Sequence, residues 1–428
     1  MLTIYPPPLG SVMSIFLESR RFLFVNLLEV HMETIMSTET LFLLSALIPV
    51  VLMPFIMPMV AMMARRKNIT DNPNARKLQK QPVMVLGGMV IISVLCVTLM
   101  FVNMFYNLSN LFTPLCVMII FFIFGLLDDA IGLNYKVKLY MQILLIMMLF
   151  FCGEYRAHGF FGVFGVSSLN TTLSFLLTLF VGLLYVNAIN FIDGIDGLAS
   201  AVGVLSSIML FKWNQLLGLT EMAFFSCAMA GIFAVFFLFN VFSSKYKMYM
   251  GDSGSLVLGF FIFISICPHG IKVDAESSLV LKYAFSYLFA TFSVPVFDIF
   301  RVVIFRVLNG KSPFEPDRTH LHHVIVDMGV THFLATTIII FFNLCVLLVW
   351  FITAKAGMSL EWQFLVVVLT AITFIWGSYF LITYNRDHNP ERYGRWKAAF
   401  ELYSSKTENA HESVRYVIDK SIRIRRNK

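Results

Sequence analysis

The chain has 428 residues, of which 58% are hydrophobic and only 13% charged, with a mean hydropathy of +0.79 and a formal net charge of +7. A soluble domain carries roughly 25% charged residues, so the main solvent of this chain is lipid, and a water-soluble globular enzyme is excluded. The basic excess sits in loops and tail and implies no nucleic acid; in a membrane protein it reports topology. The six cysteines are scattered without paired spacing, which fits neither a disulfide framework nor a zinc site.

In chain order, residues 1–37 form a leader of unassigned role. It contains "PPP", Arg20, Arg21 and an apolar stretch too short to span, and it lacks the cleavage site of a signal peptide. An all-α, polytopic membrane domain follows over 38–383. About eleven apolar runs have the length expected of spans or fall slightly short of it. They are 38–64, 83–105, 112–127, 138–152, 172–190, 199–217, 222–242, 254–267, 282–308, 333–353 and 361–382. The runs 112–127, 138–152 and 254–267 are the short ones, so ten spans is the alternative count. A basic tail occupies 384–428. Its "SVRYVIDKSIRIRRNK" puts Val414, Val417, Ile418 and Ile422 near one helical face, as an amphipathic helix on anionic lipid or a solvated tail would.

Arg65, Arg66, Lys67, Arg76, Lys77 and Lys80 crowd the loop after the first span, which puts that loop in the cytoplasm. Alternation then makes 128–138, 191–198, 243–253, 309–332 and the tail cytoplasmic as well. Nearly every unusual polar cluster falls in these segments, although only Lys and Arg were used to orient the chain.

Six aspartates, Asp128, Asp129, Asp193, Asp196, Asp252 and Asp298, sit at or just inside span ends. One Asp at a span centre costs roughly 2.5–3.5 kcal/mol, and six on the order of 15–20 kcal/mol, unless they meet water, cations or a metal. A single interfacial Asp is ordinary helix-end polarity; six on one face are not. In "NAINFIDGIDGLAS" (187–200), Asn187, Asn190, Asp193 and Asp196 recur every third residue as one polar stripe. "GDSGS" (251–255) brackets Asp252 with glycines that let an anion approach the backbone. Clustered carboxylates with little sulfur suit a hard cation such as Mg²⁺, or Mn²⁺ in its place.

"DNPNARKLQKQPVMVLGG" (71–88) supplies Arg76 and Lys77 as phosphate contacts, and Lys138 follows the Asp128/Asp129 pair by one short loop. For each of these cations, topology alone is the competing explanation. "SPFEPDRTHLHH" (312–323) follows the span carrying Asp298 and Arg301. It brings Arg318, His320, His322 and His323 as hydrogen-bond donors for a phosphate or sugar oxygen. No nucleophile elbow and no Walker A motif is present, which argues against a covalent hydrolase and against ATP drive. The combination fits phosphoryl transfer. An ion-coupled transporter is the rival from another class, but its acids belong near the midplane of two related halves.

Five ordered motifs, "DNPNARK…GG", "GLLDDAIGLNYKVK", "NAINFIDGIDGLAS", "MGDSGS" and "SPFEPDRTHLHH", resemble those of the polyprenyl-phosphate N-acetylhexosaminyl-1-phosphate transferases (glycosyltransferase family 4) over about residues 38–383. The His-x-His-His arrangement is similar to the branch using UDP-N-acetylglucosamine (the WecA and TagO type); the peptidoglycan branch, which transfers MurNAc-pentapeptide phosphate, carries three consecutive histidines. The resemblance implies a Mg²⁺-dependent enzyme of the bacterial inner (cytoplasmic) membrane, its active site facing the cytoplasm. Undecaprenyl phosphate would attack a UDP-N-acetylhexosamine, release UMP and start a lipid-linked envelope glycan such as a lipopolysaccharide. Its partners are those two substrates and the membrane lipids, and a homodimer is compatible with it.

By motif position, the resemblance makes Asp252 the principal metal ligand, supported by Asp193 and Asp196. Asp128 and Asp129 orient the lipid phosphate, and Lys138 is a basic active-site residue. Asn190 is a polar contact near the nucleotide, Asn187 on the same stripe is a further substrate-binding candidate, and the histidines bind the nucleotide-sugar. Two positions depart from the family pattern: Gln79 stands where members often carry His, and Met84 where they often carry Pro.

Overall fold

The computed structural model describes residues 36–66, 85–152, 155–157, 159–267, 279–312 and 318–421. The expectations placed on the leader up to residue 35, on Arg76, Lys77, Gln79 and Met84, and on the last residues of the tail lie outside the described residues. Those described are overwhelmingly helical and contain no β-sheet, as the composition requires. The helices are α1 (Thr38–Arg66), α2 (Gly87–Asn103), α3 (Phe112–Ile131), α4 (Tyr135–Cys152), α5 (Thr171–Ile192), α6 (Leu198–Leu216), α7 (Thr220–Phe242) and α8 (Gly251–Ile266). There follow α9 (Ala284–Thr291), α10 (Ser293–Leu308), α11 (Leu321–Asp327), α12 (His332–Lys355), α13 (Leu360–His388, with a π turn at Thr373–Gly377) and α14 (Pro390–Ser421).

Each of the eleven apolar runs coincides with a helix or a helix pair. Among the described residues, seven helices are long and apolar enough to cross a membrane: α1, α3, α4, α5, α7, α12 and α13. Counting a bent pair as one span makes eight, fewer than the ten or eleven expected. The run 282–308, expected as one span, is two helices: α9 and α10 meet at 76°. Pro295 accounts for the break. Its ring would collide with the Thr291 carbonyl in a continuous helix, and its nitrogen offers no hydrogen; Phe292 leaves helical geometry there (φ −108°, ψ 25°). α2 and α8 are apolar but short, at 17 and 16 residues.

Lipid and protein faces separate cleanly. In α7, 78% of the span is buried, against 22–39% in the other six long helices. α1 turns Leu43, Val51 and Phe55 outward, and α12 turns Phe341, Leu344 and Leu348 outward, as a lipid-facing ring should. α8 has no such face, because every residue from Ser253 to Ser265 is buried. A helix apolar all round belongs at the centre, and α8 packs against α2, α3 and α5 there.

Glycine permits that packing. A Cβ on Gly88 of α2 or on Gly125 of α3 would collide with the backbone of α8 around Ser253. One on Gly259 of α8 would strike Val186 of α5. Without a hydrophobic drive between helices in lipid, close backbone approach of this kind supplies much of the packing energy. Gly125→Leu is therefore expected to abolish the folded monodisperse peak in detergent. Gly394→Ala, in the interior of α14 with open space around it, should be neutral or stabilising by up to about 1 kcal/mol. Size-exclusion profiles and thermal unfolding of the two variants check both outcomes.

Candidate active site

The site is built on the first turn of α8. Any helix start leaves N–H groups without intrahelical partners, and here no local side chain caps them. Carboxylates from two other helices do so. The Asp252 N–H donates to Asp129 Oδ1 (2.8 Å) and the Ser253 N–H to Asp129 Oδ2 (3.1 Å), from the end of α3. The Gly251 N–H donates to Asp193, just past the end of α5. Gly251 has φ +70°, and a Cβ on it would press into the Asp129 carboxylate, so glycine is required for both conformation and space.

Around this turn the charges are layered. Asp128 is buried, accepts the Leu133 N–H (2.8 Å) and is ion-paired with Lys138. The same ammonium lies 3.2 Å from Asp252 Oδ2. Asn190 donates to Asp252 Oδ1 (2.6 Å) and to Ser255 Oγ (2.9 Å). Lys138 and Asp252 keep 35% and 32% of their side chains exposed while Asp128 keeps 4%, so the first two are the groups a substrate can reach. A small cavity of about 20 Å³ among α3, α4 and α8 is lined by Phe121, Phe124, Met141, Leu145 and Leu256 together with Asp128 and Lys138.

Asp193 has no ion-pair partner among the described residues. Burial, followed by the charges of Asp252, Asp129 and Asp196, pushes its pKa up to about 8. Of the four carboxylates around this turn, Asp128 and Asp252 share the Lys138 ammonium, while Asp129 and Asp193 meet backbone N–H groups. Among the described residues, no group of three or more His, Cys, Asp or Glu is gathered closely enough to form an all-protein metal cage. The donor set nevertheless suits a hard cation that takes one or two carboxylates and completes its shell with substrate oxygens.

The other expected residues take different places. Asp196 turns away from Asp252 and is gripped by Lys247 Nζ (2.6 Å) and His332 Nδ1 (2.9 Å). Although burial alone would raise its pKa, the His332 hydrogen bond and the Lys247 charge hold it below the usual carboxylate value. Asn187 pairs with Gln142 (2.7 Å), one turn beyond Lys138 on α4. Asp298 and Arg301 are both buried and bonded to each other (2.7 Å). Asp298 also holds His320 Nδ1 (2.8 Å) and the Leu321 N–H (3.1 Å), and Arg301 donates to the Thr319 carbonyl. That clamp fixes the histidine loop without facing solvent. Arg318 is exposed and paired with Asp327 (3.0 Å).

The loop lies against the 193–197 turn, where His322 Nε2 abuts Gly194 closely enough to forbid a Cβ. His322 Nε2 and His323 Nδ1 are buried without hydrogen-bond partners among the described residues. Burial lowers both pKa values, that of His323 to about 4 and that of His322 well below its ordinary value, helped by the neighbouring imidazoles. Near neutral pH these rings are uncharged hydrogen-bonding groups.

Sequence reasoning missed Lys247, His332, Gln142 and Ser255. Lys247 and Ser255 were within reach, since both flank or lie in the "GDSGS" segment. His332 opens an apolar span and carries no local signal.

The capping geometry separates the two adjacent aspartates. Asp129→Ala should destabilise the protein by about 1–2 kcal/mol or more, because two buried N–H groups lose their acceptor. Asp129→Asn, keeping one acceptor oxygen, should fall between Ala and wild type. Thermal unfolding in detergent measures this, and an Asp129→Ala midpoint equal to wild type would remove the cap from the account.

Comparison with known proteins places this geometry in context. The model of glycosyl transferase family 4 matches residues 111–267, the segment holding Asp128, Asp129, Lys138, Asp193, Asp196 and Asp252. The undecaprenyl-phosphate alpha-N-acetylglucosaminyl 1-phosphate transferase of Escherichia coli (strain K12) is 26% identical over 323 residues, covering 73% of this chain and 84% of its own length. Proteins of the same name from Yersinia pestis and Pasteurella multocida (strain Pm70) are 25% and 27% identical, covering 71% and 63% of this chain and 82% and 74% of their own. Three of the five motifs fall inside the matched segment, and over residues 111–267 the chain is similar to glycosyl transferase family 4.

Proposed function

We propose that this protein transfers N-acetylglucosamine 1-phosphate from UDP-N-acetylglucosamine to undecaprenyl phosphate, releasing UMP, with Mg²⁺ as its metal and its site facing the cytoplasm of a bacterial inner membrane. The observation that carries the reading is a partly exposed carboxylate and ammonium, Asp252 and Lys138, beside a carboxylate-capped helix start and a small, largely apolar cavity. Such a site serves one substrate dissolved in lipid and one dissolved in water. The names of the relatives support the donor and acceptor.

In the reaction, an oxygen of the lipid phosphate bonds to the sugar-side phosphorus, the bond to the bridging oxygen breaks, and UMP departs with that electron pair. A phosphate monoester with a second pKa near 6 is already mostly a dianion at pH 7, so the attack needs no strong base. Lys138 is the group placed to hold the attacking phosphate. Asp128 sets the Lys138 ammonium, and Asp129 sets the turn that presents Asp252. Asp252 and Asp193 would hold the Mg²⁺, which neutralises diphosphate charge when bound. The uncharged His322 and His323 are suited to hydrogen bonds with sugar or phosphate oxygens at the 193–197 turn. Arg76 and Lys77 remain candidate phosphate contacts on sequence grounds alone.

The deciding assay is release of radiolabelled UMP from UDP-N-acetylglucosamine by purified protein with undecaprenyl phosphate, with and without Mg²⁺. Lipid- and Mg²⁺-dependent release is expected. Asp252→Ala should lower turnover by about 10²-fold or more while the protein stays folded, and Lys138→Ala should raise the KM for the lipid phosphate. Release from UDP-MurNAc-pentapeptide instead would retain the reaction and replace the donor. Silence with every donor would sink the transferase reading.

A further inference from the structure

Two contacts of the C-terminal helix α14 lead to the same carboxylate, Asp196. Near its middle, the buried Ser404 Oγ donates to the Gly329 carbonyl (3.2 Å) and accepts from the Thr331 N–H (3.3 Å). The next residue, His332, holds Asp196. Near its end, Asp419 accepts from Ser243 Oγ (2.6 Å), Ser244 Oγ (2.7 Å), and the N–H groups of Ser244 (3.2 Å) and Lys245 (3.3 Å). Two residues after Lys245 is Lys247, the other partner of Asp196. The fifteen residues from Ser404 to Asp419 span roughly 22 Å of helix, at about 1.5 Å per residue.

We propose that α14 is a strap across the site face, with Ser404 and Asp419 as positioning residues that set His332 and Lys247 on Asp196 and so fix the 193–197 turn. The rest of the 243–250 loop is anchored from within the membrane domain. Arg65 donates to the Lys245 carbonyl, Asn240 joins the Met248 carbonyl (2.8 Å) to the Gly197 N–H (2.6 Å), and Gly87 donates to the Tyr249 carbonyl (3.0 Å). Asp419 supplies the anchor at the start of that loop and comes from the tail. The turn that it steadies carries Asp193, which meets Gly251 of α8, and Gly194, which meets His322. A loosened strap therefore acts on the metal-facing acid and on the histidine loop together.

The kinetic part of this inference rests on the proposed transferase reaction, so the test has a readout that does not. Hydrogen exchange of the full-length protein in detergent should show faster exchange at 193–197 and 243–250 in Asp419→Ala than in wild type. Arg395→Ala, an exposed change on the same helix, should leave it unaltered. In the UMP-release assay, Asp419→Ala should lower kcat about ten-fold with the KM for lipid phosphate within about two-fold, and Asp419→Glu should recover part of the loss. Combined with Lys247→Ala, the Asp419→Ala loss should be strongly less than additive, because both act on Asp196. Unaltered exchange in both segments overturns the strap whatever the activity. An inactive wild type overturns the reaction instead and leaves the exchange data to decide the strap.

Discussion

The first turn of α8 is the constraint on which the rest depends. Any helix start leaves N–H groups that need acceptors from outside the helix. This one finds them in Asp129 from α3 and Asp193 from beyond α5. Those carboxylates reach it only because Gly88, Gly125 and Gly259 let three neighbouring helices approach α8 at backbone distance. Packing and chemistry are therefore one arrangement. The glycines that close the bundle also bring the acids together, and the acids that cap the helix leave Asp252 at its mouth, where the positive end of the helix dipole stabilises an anion.

The six interfacial aspartates then divide by what neutralises them. Asp196 and Asp298 are held by paired cations or imidazole and fix loops: Asp196 by Lys247 and His332, Asp298 by Arg301 and His320. Asp129 is committed to backbone N–H groups, and Asp128 to Lys138 and Leu133. Asp193 lacks an ion-pair partner among the described residues, and Asp252 shares Lys138 with Asp128 while about a third of its side chain stays open, at 32% exposure. Removing either member of the buried Asp298 and Arg301 pair would strand a charge, a cost of about 3–5 kcal/mol. A dead variant at those two positions is thus evidence of a broken loop before it is evidence of lost chemistry.

Much of the bundle was legible because apolar runs of span length have few other uses. The motif resemblance likewise pointed to the residues that gather at α8. The chain pattern could not distinguish the roles of acids that look alike. Asp128 and Asp129 are neighbours in sequence, yet they face an ammonium and a helix start respectively, a difference set by the rotation of α3 against α8. Asp193 and Asp196 sit on one stripe by spacing, but the chain leaves the helix at Asp193, so the stripe splits and Asp196 turns to α12. His332 and Asp419 were invisible for the same reason: their importance lies in partners more than a hundred residues away.

The electrostatics of the cluster also limit how it can bind phosphate. Of Asp128, Asp129, Asp193 and Asp252, only Asp128 and Asp252 meet the Lys138 ammonium, and burial, followed by the charges of Asp252 and Asp129, pushes the Asp193 pKa up to about 8. Helix α8 offers a phosphate little help through its N–H groups, since carboxylates already occupy them. The nearby histidines offer hydrogen bonds without charge, being held neutral by burial. A diphosphate approaching this surface is therefore repelled unless a cation comes with it or is already there. That repulsion is the physical argument for a divalent ion in the proposed reaction. It also explains how a site lined with acids can select phosphorylated substrates: affinity depends on a charge that the protein's own residues leave short.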